Sequence, residues 1–238
     1  AGTGKTRTLV YRACRLIEDG VPPSRILLLT FTNKAAREML DRVDRLVEGG
    51  AGRVMGGTFH SVGHRILRRW ASELGYTSRF SILDREDSGD PMGAALADVS
   101  PELPSRRTPR ARLLVDVYSL VINTGDDLGE VVARRAPQFL DQAEMMADVF
   151  RRYLERKRRA DAMDFDDLLL NWLLLLDRVP SARQELTTRF EHLLVDEYQD
   201  TNRLQADIVD RMLGAGRNVM VVGDDAQSIY GFRGADFD

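Results

Sequence analysis

The first residues of the chain have the composition of a phosphate-binding loop. Residues 1–6, AGTGKT, match the second half of the pattern in which glycines let backbone N–H groups approach phosphate oxygens at the start of a helix. In such a loop the lysine holds the β- and γ-phosphates and the next hydroxyl binds Mg²⁺. Lys5 and Thr6 are therefore predicted to bind a nucleotide and its Mg²⁺. The alternative is a glycine turn that only opens a helix, because the first glycine of the pattern would lie before residue 1.

Two adjacent carboxylates end an apolar run at residues 193–196. In an open α/β sheet, ligands bind at the carboxyl ends of the strands, and Asp196 and Glu197 stand at such an end. Asp196 is placed to hold Mg²⁺, directly or through water, and Glu197 to orient and deprotonate the water that attacks a phosphate. An acidic pair of this kind also suits the first turn of a helix. The presence of Lys5 and Thr6 in the same chain favours the catalytic interpretation.

A third stretch, residues 221–236, continues an apolar run into a polar loop that contains an amide, two aromatic rings and an arginine. These side chains are Gln227, Tyr230, Phe232 and Arg233. A loop that displays aromatic rings beside glycine and a cation is suited to stacking on unpaired bases. The stretch therefore predicts contact with single-stranded nucleic acid.

Apolar runs and amphipathic segments alternate along the parts of the chain that carry these residues. Buried parallel strands are predicted at four runs of branched or aliphatic residues, 26–31, 53–59, 193–196 and 219–223. Helical patterns occupy residues 6–19, 34–47, 60–74 and 202–213. This alternation predicts an α/β fold with a doubly wound parallel sheet.

The alternation stops between about residues 77 and 160, where the sequence is charged, punctuated by proline and helical in pattern. We expect an inserted all-helical subdomain at 78–160. The two parts of the α/β domain would then be residues 1–77 and 161–238.

The strongest helical pattern of the insertion runs over residues 142–157, with an apolar stripe that predicts core packing. Residues 84–100 and 101–112 are expected to be mobile loops. After the insertion, residues 165–176 are apolar nearly all round, as in a helix packed against the sheet.

The composition sets limits on the class of protein. The chain has 238 residues, of which 43% are hydrophobic, and its single cysteine, Cys14, cannot form an internal disulfide. Its longest apolar block is far shorter than the roughly 20 residues that cross a bilayer, so we expect a soluble protein without membrane contact. The single cysteine predicts a reduced, cytoplasmic setting. The net charge of −3 means that any nucleic acid must bind to a local surface. Because the first residues lie inside a glycine loop, we interpret the chain as a piece of a longer protein.

Taken together, these stretches resemble the helicase motifs of the UvrD/Rep/PcrA type within superfamily 1. Further stretches match motifs of the same family at residues 29–36 (LTFTNKAA), 57–61 (GTFHS) and 164–168 (DFDDL). The motifs occur in family order along the chain, and only the helical insertion lacks one. The resemblance implies a RecA-like P-loop NTPase domain that uses ATP and Mg²⁺.

The resemblance also implies roles for individual residues. Gln227 would sense the γ-phosphate, and Arg233 would link the nucleotide and DNA sites. The catalytic residues would be Glu197, Asp196, Lys5 and Gln227, with Thr6 and Asp196 at the metal. The nucleotide-binding residues would be Gly2, Thr3, Gly4, Lys5, Thr6, Arg7 and Gln227. The DNA-binding residues would be Phe31, Thr32, Asn33, His60, Tyr230, Phe232 and Arg233.

Three of the residues with an implied DNA-binding role either also fit a structural role or depart from the family pattern. From the residues alone, Phe31 is equally consistent with core packing, and His60 is also consistent with a hydrogen-bonded helix cap. Phe232 stands where the family frequently has tryptophan, so its stacking area is smaller.

The activity implied by the resemblance is ATP-dependent movement along single-stranded DNA, in the 3′ to 5′ direction, in DNA repair or replication. The partners would be single-stranded DNA, DNA junctions, and repair or replication proteins. A second RecA-like domain is implied and does not occur in the chain, so the isolated chain should hydrolyse ATP feebly. Two alternatives remain: the helicase subunit of a RecB- or AddA-like recombination nuclease, and a non-catalytic nucleic-acid-binding fragment.

Overall fold

The computed structural model describes residues 4–47, 54–100, 108–214, 216 and 218–224. The chain divides into two compact units, one formed by Ala1–Ile66 with Trp172–Asp238 and the other by Leu67–Asn171. The described strands are β1 Ile26–Thr30, β2 Met55–Thr58, β3 Ser81–Leu83, β4 Ala162–Asp164, β5 His192–Val195 and β6 Asn218–Val221. The described helices are α1 Lys5–Glu18, α2 Asn33–Leu46, α3 Phe59–Trp70, α4 Gly89–Val99, α5 Ala111–Thr124, α6 Leu128–Arg135, α7 Ala143–Arg159, α8 Phe165–Arg178, α9 Pro180–Arg189 and α10 Arg203–Met212. Within these ranges no helix is long and apolar enough to span a bilayer.

The first unit is built on a parallel sheet of four strands in the order β2-β1-β5-β6. β1 pairs on both sides, and its residues from Ile26 to Leu29 are 0% exposed. This burial explains the unbroken apolar run of β1, because a central parallel strand is covered on both faces. The four predicted strands and the α/β class with a parallel sheet are confirmed.

The core of this unit joins α1 and α2 to the sheet. Leu9 and Ala13 of α1 belong to one cluster with Leu28 of β1, Met39 of α2 and Leu194 of β5. All five are at most 2% exposed. Each buried leucine contributes roughly 1.5–3 kcal/mol relative to its exposed state. The packing therefore holds the first turn of α1 in a defined position relative to the sheet.

The second unit is mainly helical, with a core contributed by α4, α5, α6 and α7. It also contains a short parallel pair of strands, in which Ser81 of β3 is paired with Ala162 of β4 and Leu83 with Asp164. This pair departs from the expectation of an all-helical insertion. Three-residue strands from opposite ends of a unit leave no periodic pattern in the sequence, so only the tertiary contact reveals them.

The segment 84–100 is mostly helical, because α4 spans Gly89–Val99, and the expectation of a mobile loop there was wrong. Met92 and Ala95 are 0% exposed and belong to the core of the second unit. Glycine and proline in the segment suggested a loop. Pro91 stands in the first turn of α4, however, where a missing backbone N–H breaks no helical hydrogen bond. In the segment 101–112, residues 101–107 lie outside the described residues, and α5 begins at Ala111.

A buried lysine lies at the centre of the second unit. Lys157 near the end of α7 is 1% exposed, and its Nζ lies 2.6 Å from Asp164 Oδ2 and 2.6 Å from Asp167 Oδ2. Nζ also lies 4.1 Å from the ring centre of Tyr153, whose hydroxyl donates to Asp164 Oδ2 at 2.7 Å. The two aspartates bond each other's backbone N–H groups at 3.0 and 2.8 Å. The acidic stretch 164–168 therefore contributes a buried ion-pair network.

Candidate nucleotide and nucleic-acid site

The described part of the glycine-rich loop begins at Gly4, which has a φ of +79°. Glycine adopts this conformation without the steric cost of a side chain, so it turns the chain into α1. Its carbonyl oxygen accepts hydrogen bonds from the N–H and the hydroxyl of Thr8, at 2.9 and 3.1 Å. Lys5 begins α1, where the unpaired N–H groups of a helix favour anions. Arg7, in the first turn of α1, is exposed.

The hydroxyl of Thr6 lies against the carboxylate that follows β5. Thr6 Oγ1 donates to Asp196 Oδ2 at 3.1 Å, which joins two of the predicted metal-binding residues across 190 positions of the chain. Asp196 is 3% exposed, and its Oδ1 has no hydrogen-bond partner among the described residues. Burial raises the pKa of Asp196, and the charge of Glu197 adds to this effect, while the Thr6 hydrogen bond opposes it.

This geometry fits a magnesium ion. A buried carboxylate oxygen to which no described residue donates a hydrogen bond, next to a hydroxyl, provides hard oxygen ligands of the kind that Mg²⁺ prefers. In the described part of the chain, no group of three or more His, Cys, Asp or Glu side chains could hold a metal by itself. The remaining ligands of Mg²⁺ at Thr6 and Asp196 would therefore come from water and phosphate oxygens, as is usual for this ion.

The ammonium group of Lys5 is paired with a carboxylate that the sequence analysis had not selected. Lys5 Nζ lies 3.1 Å from Asp224 Oδ2, and the two side chains are 21% and 29% exposed. Asp224 follows β6 as Asp196 follows β5, so the same strand-end rule would have found it. A phosphate that binds Lys5 competes with this ion pair.

Glu197 interrupts the ladder between β5 and β6. Val222 N donates to Val195 O and Tyr198 N donates to Val222 O, both at 2.9 Å. In a regular parallel ladder the second donor would be residue 197, so Glu197 is an extra residue of the kind found in a β-bulge. It has the left-handed conformation, with φ 52° and ψ 46°, which costs a non-glycine residue roughly 1–2 kcal/mol. Such bulges re-aim side chains beside active sites.

The described members of the predicted DNA-binding set follow β1 and β2. Phe31 comes directly after β1 and is half-buried, so it is not a fully buried core residue. Thr32 and Asn33 are exposed at the start of α2, where Thr32 Oγ1 caps the helix by accepting from Ala35 N at 3.1 Å. His60 is half-buried in the first turn of α3.

The strand order arranges these residues along one edge of the sheet. Because β1, β2, β5 and β6 are parallel, the residues that follow them share the carboxyl edge. Phe31 and His60 follow the two strands at one side, whereas Asp196 and Asp224 follow the two at the other. The described members of the predicted DNA-binding and nucleotide-binding sets therefore lie side by side on this edge.

Several predicted residues fall outside the described residues, namely Gly2, Thr3, Gln227, Tyr230, Phe232 and Arg233. Three described residues with a notable environment were not predicted from the sequence. Besides Asp224, these are Gln199, which donates to Glu197 Oε2 at 2.7 Å, and Phe165, which is 48% exposed at the start of α8. Phe165 was expected to begin an apolar helix packed on the sheet. Its side chain is instead exposed, unlike a residue that packs in a core.

The parallel sheet, with α1 beginning at the end of a glycine-rich loop, defines an α/β domain of the RecA-like P-loop class. The UvrD/REP helicase N-terminal domain family matches residues 1–238, and the chain belongs to this family. The ATP-dependent DNA helicase PcrA of Staphylococcus epidermidis is 39% identical to the chain, and that of Staphylococcus aureus is 37% identical. Each alignment covers 99% of the chain and 32% of the relative. The chain thus spans about a third of the length of these relatives.

Proposed function

We propose that this chain is the ATP-binding domain of a DNA helicase that moves along single-stranded DNA as it hydrolyses ATP. The contact between Thr6 and Asp196 is the observation that carries the proposal, because it joins a phosphate-loop hydroxyl to a buried carboxylate, one oxygen of which has no hydrogen-bond partner among the described residues. Family membership and the two PcrA relatives support the same function. ATP and Mg²⁺ are the ligands that these residues fit.

In this proposal each residue of the nucleotide site has one task. Lys5 leaves Asp224 and binds the phosphates through its ammonium group. Thr6 and Asp196 would hold Mg²⁺, which supplies positive charge to the phosphate oxygens. Glu197 accepts a proton from the attacking water. Its left-handed backbone sets the direction of its Cα–Cβ bond. Gln227 would sense the γ-phosphate.

The strand of DNA is proposed to lie across the ends of β1 and β2. Phe31 offers a half-buried ring to a base, and Thr32, Asn33 and His60 offer polar groups beside it. Tyr230, Phe232 and Arg233 would extend this surface. The position of Phe31 and His60 beside the nucleotide residues on one edge of the sheet suits the coupling of hydrolysis to movement.

The finer parts of the proposal follow the same family. We propose movement in the 3′ to 5′ direction, a role in DNA repair or replication, and DNA junctions and repair or replication proteins as partners. Residues 1–77 and 161–238 are proposed as the two parts of the motor domain, with residues 78–160 as the insertion. The isolated chain is expected to hydrolyse ATP weakly.

The test is Glu197→Gln in the full-length protein. An amide cannot accept the proton of water, so we expect ATP binding to be kept while DNA-stimulated turnover falls by roughly 100- to 10,000-fold. The matched control is Glu38→Gln, the same change at a side chain that is 54% exposed in α2, and it should leave turnover unchanged.

Two outcomes would contradict the proposal. Turnover of Glu197→Gln near that of the wild type would show that another group acts as the base. A wild-type protein that binds single-stranded DNA without any ATPase activity would favour the non-catalytic alternative.

A further inference from the structure

A side-chain amide connects the candidate base to the strand end that follows β6. Gln199 is 8% exposed and lies in the short turn Tyr198–Asp200. Its Nε2 donates to Glu197 Oε2 at 2.7 Å, and its Oε1 accepts from the backbone N–H of Asp224 at 2.9 Å. Only the nitrogen of an amide can donate to a carboxylate, and only its oxygen can accept from an N–H group. The two partners therefore fix the orientation of the Gln199 side chain.

The backbone after β6 passes very close to this amide. A Cβ atom at Gly223 would lie 2.7 Å from Gln199 Oε1 and 3.1 Å from Gln199 N. Distances this short require the neighbouring atoms to move, so any residue other than glycine would displace the Gln199 side chain or the backbone of its turn. Gly223 thus gives an independent means of disturbing the amide without changing it.

We propose that Gln199 is a positioning residue for ATP hydrolysis, which holds the carboxylate of Glu197 in a fixed orientation relative to the start of the loop after β6. The inference rests on the proposed function, in which Glu197 is the general base. A glutamate side chain rotates about three bonds, and a base must lie within hydrogen-bond reach of the proton it accepts. The amide restricts that rotation before the substrate arrives.

The same amide brings the base and the phosphate-loop lysine into one network. Asp224 donates its backbone N–H to Gln199 and pairs its carboxylate with Lys5 Nζ at 3.1 Å. Glu197 and Lys5 are therefore separated by two side chains, Gln199 and Asp224. The ion pair with Lys5 is given up when phosphates bind, whereas the two hydrogen bonds of Gln199 do not involve Lys5 and can hold Glu197 in place with ATP bound.

The first test is Gln199→Met, which keeps the approximate size of the side chain and removes both hydrogen bonds. In DNA-stimulated ATPase assays of the full-length protein we expect kcat to fall on the order of tenfold or more, because a misplaced catalytic group loses orientation. The KM for ATP and the directly measured affinity for ATP should stay within about threefold of the wild type. Gly223→Ala should likewise lower kcat and leave the KM for ATP nearly unchanged.

A second variant separates the two hydrogen bonds. Gln199→Glu keeps an oxygen acceptor for Asp224 N but presents a carboxylate to Glu197 in place of a donor. We expect its kcat to be as low as that of Gln199→Met. Wild-type kcat in Gln199→Glu would show that Gln199 only anchors the loop, and this result would overturn the proposal.

Matched controls separate positioning from general structural damage. Gln205→Met replaces another buried glutamine, 4% exposed, whose side chain caps α10. It should lower thermal stability and leave kcat unchanged. Gly89→Ala places a methyl group where no atom lies within 4 Å, and it should change neither quantity.

The outcomes distinguish this inference from the proposed function itself. If the wild type hydrolyses ATP and Glu197→Gln does not, the base is established whatever Gln199 does. Normal kcat in Gln199→Met and Gly223→Ala would then overturn only the positioning role. If Gln199→Met does not fold, the kcat of Gly223→Ala and Gln199→Glu decides the question by the same criterion.

Discussion

Replacing Lys157 with methionine should destabilise the second unit by an amount that grows with pH. The Lys157 side chain is 0% exposed and pairs with two carboxylates, those of Asp164 and Asp167, at 2.6 Å each. Methionine fills a similar volume, so the change removes the charge and the hydrogen bonds without leaving a large cavity. Removing one partner of a buried ion pair typically costs about 3–5 kcal/mol, because the remaining charge stays buried. We expect that loss in the free energy of unfolding near pH 8.

The pH dependence follows from the pKa of Asp167. Burial and the nearby charge of Asp164 raise this pKa to about 6, while the charge of Lys157 opposes the rise. The folded-state pKa of Asp167 is above its ordinary value, so the protonated carboxyl adds to the free energy of unfolding. This contribution is fully present below about pH 4 and is lost as the pH rises through about 6. In Lys157→Met the opposing positive charge is gone, so the pKa of Asp167 rises further. Asp167 then takes up a proton at a higher pH than it does in the wild type. Near pH 5 the loss should therefore be only roughly 1–2 kcal/mol.

The assay must report on the second unit alone. Urea titrations at about pH 5 and pH 8, with amide hydrogen exchange of peptides from α7 and β4 measured by mass spectrometry, give the local free energy of unfolding. The matched control is Lys34→Met, because the Lys34 side chain is 85% exposed and 3.9 Å from Glu38, and it should change stability by less than about 0.5 kcal/mol. A loss of less than 1 kcal/mol at about pH 8, or the same loss at both pH values, would refute the reasoning.

Two further predictions concern ligand binding in the full-length protein. Lys5→Ala should weaken ATP binding, because it removes the ammonium group nearest the phosphates, and unchanged affinity in a nucleotide titration would contradict the assignment. Phe31→Ala should lower the affinity for single-stranded DNA on the order of tenfold, since stacking on one base is worth roughly 1–3 kcal/mol. Because Phe31 is half-buried, the Phe31→Ala protein should also have a lower thermal stability. Lower stability with normal DNA binding would show that Phe31 has a purely structural role.

The elements of the first unit could be predicted from local patterns. β1 is buried on both faces and four of its five residues are aliphatic, so the run is visible without a structure. The strand-end rule also predicted Asp196 as a metal-binding residue, and in the structure Asp196 accepts a hydrogen bond from Thr6 at 3.1 Å. The position of Asp196 at the edge of the sheet could be predicted from the motif because the carboxyl ends of parallel strands lie at the same edge.

Other features depended on contacts between distant segments, which no local pattern records. Residues 156–159 at the end of α7 are all basic, which suggests a solvated end, yet Lys157 is buried because Asp164 and Asp167 neutralise it. The left-handed backbone of Glu197 arises only when β5 and β6 pair around it. Sequence by itself thus determined which residue types could bind phosphate and metal and which runs form strands. The tertiary structure alone decided the contact that anchors Gln199 beside Glu197, because Gln199 and Asp224 meet only after the sheet has formed.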